Sequence, residues 1–159
     1  MNQAFLRFVL LLLVGAALAP LSGYLAGIAF AKEILIWIMA TFFGALVHGT
    51  KGFLLMLALP GVLGAGWAWP LTCVIFPIAG LFIRGNPQAT WLFALLGAIA
   101  GPVVSYGWIA SGLKPLHSDL AGYMAGGAIG GFLAGALFGF ALRRIDAALA
   151  RAVAESHST

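Results

Sequence analysis

Hydroxyl side chains set inside long apolar runs are the first residues here with chemical potential. Ser105 and Tyr106 are adjacent and follow Pro102 closely, and Ser22 and Tyr24 follow Pro20 in a similar arrangement. A hydroxyl both donates and accepts hydrogen bonds, so these four residues are a candidate polar lining for a small ligand. The competing role is local, with each hydroxyl bonding a nearby carbonyl or anchoring at the membrane interface. Pro20, Pro60, Pro77 and Pro102 interrupt the same apolar runs. Each removes a backbone donor and frees a carbonyl, which makes them candidate helix breaks around a midplane site, or else static kinks.

The ionisable residues narrow the chemistry. His48 and Lys51 stand three apart, on one face if a helix continues that far, and are expected to meet lipid headgroups at the inner interface. The segment His48-Gly49-Thr50-Lys51-Gly52 lacks the glycine spacing of a phosphate loop. Three dispersed histidines and the single Cys73 make neither a zinc pattern nor a haem ligand pair, so no metal or cofactor is expected. The acids Glu33, Asp119, Asp146 and Glu155 all fall at span ends or in the tail. Coupled carriers place such groups at membrane depth, so the pattern argues against an autonomous ion-coupled pump. Acid, base or metal constellations for catalysis are missing too, which ranks a membrane enzyme third.

A different pattern fills the last apolar run. Gly127, Gly131, Gly135 and Gly139 repeat every four residues, and Gly122, Gly126 and Gly130 form a second row. Rows of this kind let another helix backbone approach closely, the geometry of a glycine zipper. Its partner lies within the chain on the simplest reading, or in a second copy or another subunit.

These residues need helices to position them, and composition says in which solvent. The 159 residues are 63% hydrophobic and 8% charged, whereas soluble domains carry about 25% charged residues. A soluble fold this small could not hide so much apolar surface. The sequence therefore predicts an all-α polytopic transmembrane bundle, one membrane domain over 1–159, with spans at 8–30, 34–48, 52–66, 67–83, 91–110 and 120–142. Residues 143–159 are expected as a short cytoplasmic tail that continues the last helix or lies on the inner leaflet.

The division at 52–83 rests on length and charge. As one helix the stretch would reach about 48 Å against roughly 30 Å of hydrocarbon. Gly64-Ala65-Gly66 and Pro70 offer a break, flanked by Trp67 and Trp69 as interfacial tryptophans. With six spans and both termini inside, Arg7, Lys51, Arg84, Arg143, Arg144 and Arg151 are cytoplasmic, and only Lys32 and Lys114 lie outside. That asymmetry is the positive-inside pattern, and five spans satisfy it less well. A re-entrant hairpin at 52–83 would leave the other spans unchanged.

At the N-terminus, Arg7, the apolar run and Ala17-Leu18-Ala19 imitate a cleavable signal peptide. Pro20 would then be the first mature residue, and the run continues to Phe30, so it is read as the first span. A shift of 82 residues places Pro20, Tyr24 and Lys32 on Pro102, Tyr106 and Lys114, and Pro60 falls midway between the two prolines. This gives three helical hairpins as an internal repeat, with chance alignment of biased composition as the alternative. The scattered basic residues exclude a nucleic-acid patch. The expected partners are the lipid bilayer and either further copies of the chain or other membrane subunits, in a bacterial-type inner membrane. Two functions follow: a small permease component or channel-like subunit for a small solute, or an accessory or assembly subunit of a larger membrane complex.

Overall fold

The computed structural model describes residues 3–28, 39, 41–54, 68–110 and 120–156. Among them the chain is all-α, and three helices are long and apolar enough to cross a membrane. They are α1 (Gln3–Ile28), α4 (Ala89–Ala110) and α5 (Leu120–Ser156). Between α1 and α4 lie α2, helical over 41–54, and a shorter apolar helix, α3 (Pro70–Phe82). Six spans are an expectation from sequence that reaches beyond this; much of 34–48 and 52–66, with Pro60 and Trp67, lies outside the described residues.

Their apolar side chains suit these segments to helix in lipid, a solvent that cannot bond the backbone. α1 and α4 continue as helix past Pro20 and Pro102. Neither proline ends its helix, because proline's fixed φ is already helical and only one hydrogen bond is lost. α5 also passes the expected end at Leu142. Arg143 and Arg144 are followed by Ala, Leu and Arg, all strong helix formers, so the tail to Ser156 is one continuous helix. At 1.5 Å per residue its 37 residues reach about 55 Å, well past the hydrocarbon thickness.

α3 begins with a six-residue π-helical stretch, Pro70–Ile75, whose wider winding tightens to α over Phe76–Phe82. Pro77 explains the transition. The Phe76 N–H bonds the Leu71 carbonyl five residues back, and the next donor in that register would be residue 77, which has none. The Thr72 carbonyl is therefore left without its helical partner. In α2, Gly49 has φ 62°, and the chain bends back there: a Cβ at Gly52 would collide with the Gly44 carbonyl. Residues eight apart on a straight helix would be separated by about 12 Å.

Residue pairs set the directions. Arg7, Leu11 and Gly15 of α1 meet Ile83, Gly80 and Thr72 in turn, so α1 and α3 are antiparallel. Gly97 and Gly101 of α4 meet Gly131 and Gly127, which makes α4 and α5 antiparallel as well. Gly85 (φ 66°) turns the chain between α3 and α4 at the end where Arg7 and Asp146 sit. The start of α1, the α3–α4 turn and the far half of α5 thus share one end of the bundle.

The core lies in the half nearest that end. Phe76, Phe93 and Phe138 pack with ring centroids 5.7, 5.3 and 5.0 Å apart. Leu11, Leu71, Ala89, Ala134 and Leu142 complete a fully buried cluster drawn from α1, α3, α4 and α5. The outward faces are just as apolar. Trp91, Leu95, Ile99, Val103 and Tyr106 form an exposed stripe along α4, and Ile129, Leu133, Leu137 and Phe140 form one along α5. With Ile99 71% and Phe82 83% exposed, these surfaces suit lipid contact rather than water.

Candidate functional site

The four glycines of the first row in α5 all lie on α4. A Cβ on Gly131 would overlap the Gly97 carbonyl, and one on Gly97 would overlap the Gly131 carbonyl. Gly127 faces Gly101 and the Ser105 hydroxyl, Gly135 faces the Phe93 carbonyl, and Gly139 faces Ala89 and Thr90. Because each carbonyl occupies the place of an absent side chain, a glycine Cα–H points at it, giving weak Cα–H···O contacts across the interface. In the second row Gly126 and Gly130 are buried and Gly122 is half-buried. Gly15 of α1 repeats the device toward α3: the orphaned Thr72 carbonyl fills the space where its side chain would be.

Of the four candidate polar residues, Ser22, Ser105 and Tyr106 are placed apart from one another, and the Tyr24 side chain lies outside the described residues. Ser22 is fully buried and its Oγ donates to the Ala19 carbonyl at 2.7 Å. Ser105 is buried with its hydroxyl against Gly127. Tyr106, one residue and about 100° further round the helix, is 55% exposed on the outward stripe. Tyr24 lies near the C-terminal end of α1. Of the prolines, Pro20 and Pro102 sit half-buried within helices and Pro77 is buried beneath the π-helical stretch. His48 and Lys51 are both exposed, and the bend at Gly49 interrupts the helical face they would otherwise share.

Sequence reasoning missed the strongest polar contact. Arg7 Nε donates to Asp146 Oδ1 at 2.7 Å, and Arg7 Nη2 donates to Asp146 Oδ2 at 3.2 Å and to the Ile83 carbonyl at 3.1 Å. The Gly85 N–H donates to the same Asp146 Oδ2 at 3.1 Å. The side chains are only 6% and 16% exposed. One planar cluster therefore fastens α1, α5 and the α3–α4 turn, in the bidentate geometry guanidinium and carboxylate favour. A signal was present: Leu142, Ile145, Leu149 and Val153 form a helical apolar stripe, and Asp146 falls within it.

Beside this cluster opens a cleft of about 540 Å³, with Leu81, Leu149, Ala150 and Val153 on its walls and Gln3 and Arg84 at its polar edge. Arg143, Arg144 and Arg151 are also exposed on α5, and the Arg144 guanidinium stacks over Phe140 at 5.2 Å. Among the described residues no three His, Cys, Asp or Glu side chains gather as a metal site.

The chain is by its fold a helical protein with three candidate membrane spans and apolar outer faces. Comparison with known proteins finds no matching family model, no similar curated protein and no similar solved structure.

Proposed function

We propose that this chain is an accessory or assembly subunit of a larger membrane complex, working by helix packing rather than by catalysis. In this reading it crosses the membrane six times with both termini inside, in a bacterial-type inner membrane. The glycine rows act as a zipper that holds the last hairpin together, and the other hairpins repeat that plan. The apolar perimeter meets lipid and either further copies of the chain or other subunits.

One observation carries the choice over a permease. Where α1, α3, α4 and α5 converge, the space is filled by Phe76, Phe93, Phe138 and Leu11, while the Ser105 hydroxyl lies against Gly127 in the helix interface and Tyr106 turns outward. The polar groups that a solute path would use along α4 thus point in different directions. The permease or channel-like reading keeps one point in its favour, the π-helical stretch of α3, since such stretches are frequent at functional sites.

Extraction into lipid-preserving polymer particles, followed by native mass spectrometry, tests the proposal. The expected result is a second membrane polypeptide, or further copies of this chain, at fixed stoichiometry. A lone monomer would overturn it, and small-solute flux from that monomer in liposomes would establish the permease instead.

A further inference from the structure

The cleft at the charged end has a direction. Arg7, Ile83, Gly85 and Asp146 are bonded together and mark one level of the bundle, and Arg84 belongs to it between Ile83 and Gly85. From that level α1 runs inward and α5 outward. Gln3 therefore stands about 6 Å outside Arg7, and Ala150 and Val153 stand about 6 and 10 Å outside Asp146. The cleft is a groove that starts at the charged cluster and opens away from the aromatic core, between the first turn of α1 and the last turns of α5. Its outer wall of Leu149, Ala150 and Val153 is apolar, although it lies past Arg143 and Arg144, the first charged side chains on α5.

Length and charge say what covers that wall. From the level of Arg84 to Val153 is about two turns of an α-helix, the span of side chains at i, i+4 and i+7 on an incoming helix. Arg84 is exposed at the inner end, and among the described residues no acceptor is bonded to it. With Arg7 and Asp146 cancelling, the lining keeps one net positive charge. A membrane lipid does not fit, because acyl chains hung from a phosphate on Arg84 run back toward the core and away from the wall. An inorganic anion would leave the wall bare. A second copy is repelled: on the α3–α4 turn and the far half of α5, the exposed ionisable side chains described are Arg84, Arg143, Arg144 and Arg151 against Glu155.

We propose that this groove docks an acidic amphipathic helix of a partner polypeptide, a role that rests on the assembly-subunit reading. A carboxylate of that helix accepts from the Arg84 guanidinium, whose planar donors match both oxygens at once. Apolar side chains one and two turns further on cover Leu149, Ala150 and Val153.

Fluorescence anisotropy with the purified full chain in dodecyl maltoside tests this, with empty micelles as the blank. The probe is a stapled helix of about four turns, with leucines on one face and glutamates beside them; its counterpart carries lysines for the glutamates. Wild-type protein is expected to bind the acidic probe and not the basic one. R84E should weaken acidic binding about tenfold, as an attraction becomes a like-charge contact, and should prefer the basic probe. R151E changes net charge equally but does not line the groove, so it should keep the wild-type preference. A150W should weaken both probes by filling the groove, with its melting temperature checking the fold. No saturable binding, equal losses in R84E and R151E, or equal binding of an acidic probe with serines for leucines would overturn the proposal. A dimer of the chain that R84E dissolves would reassign the groove to a second copy and overturn it too. The two readings fail separately. A fixed-stoichiometry complex without probe binding removes the groove from the interface and leaves assembly standing, whereas a lone native monomer that binds the probe does the reverse.

Discussion

Removing either partner of the Arg7–Asp146 pair should destabilise the bundle far more than removing both. In R7M the Asp146 carboxylate keeps only the Gly85 N–H; in D146L the guanidinium keeps only the Ile83 carbonyl. Breaking a buried pair from one side costs about 3–5 kcal/mol, because a charge is left uncompensated. Asp146 is 16% exposed, so water relieves part of that penalty, and about 3 kcal/mol is expected for each single substitution. R7M/D146L replaces the pair with apolar groups of similar length. Its loss should be below about 2 kcal/mol, since buried ion pairs are often matched by well-packed apolar residues. The expected coupling is then about 4 kcal/mol, above the usual range for contacting pairs. Reversible unfolding in mixed micelles, followed by far-ultraviolet circular dichroism, gives each free energy. Single-substitution losses under about 0.5 kcal/mol, or a double substitution equal to the sum of the singles, would refute the reasoning.

Three further outcomes follow from the packing. Gly131→Leu should abolish the α4–α5 contact and lower the yield of folded protein, whereas Gly107→Ala, with nothing within 4 Å of the added methyl group, should leave thermal stability within a degree or two; size-exclusion profiles and melting curves in detergent compare them. Phe93→Ala should cost about 3–5 kcal/mol by emptying the centre of the aromatic cluster, measured in the same unfolding assay. In a C73S background, N86C and E155C should react with a membrane-impermeant maleimide from the same face of sealed vesicles, because the α3–α4 turn and the end of α5 share one end of the bundle; labelling from opposite faces would contradict the fold.

The apolar runs made α1, α4 and most of α5 legible, since long stretches of Leu, Ala and Phe in this composition have one stable form. Their limits were less so. Arg143-Arg144 reads as the edge of a membrane, but a helix has no reason to stop where the solvent changes. Pro20 and Pro102 read as breaks because proline weakens helices in water; within a packed helix the loss is one bond. Ser105 and Tyr106 read as a pair because they are adjacent, and adjacency on a helix turns side chains about 100° apart. The partner of the glycine row was within reach: Ala89, Phe93, Gly97, Gly101 and Ser105 have the same spacing of four as the glycines they meet. Arg7 and Asp146 are 139 positions apart, and only the fold brings them together.

The even spacing of the α4–α5 seam has a mechanical corollary. A row with one glycine per turn presents a similar profile after a slide of one turn, so the seam alone works like a ratchet with several teeth rather than a single notch. What selects one tooth lies at the charged end, where Phe93 and Phe138 interlock with Phe76 and Asp146 is clamped by Arg7 and Gly85. Detaching that clamp would free α5 to shift by a full helical pitch against α4, carrying its projecting basic half with it, while the glycines still met a backbone they fit.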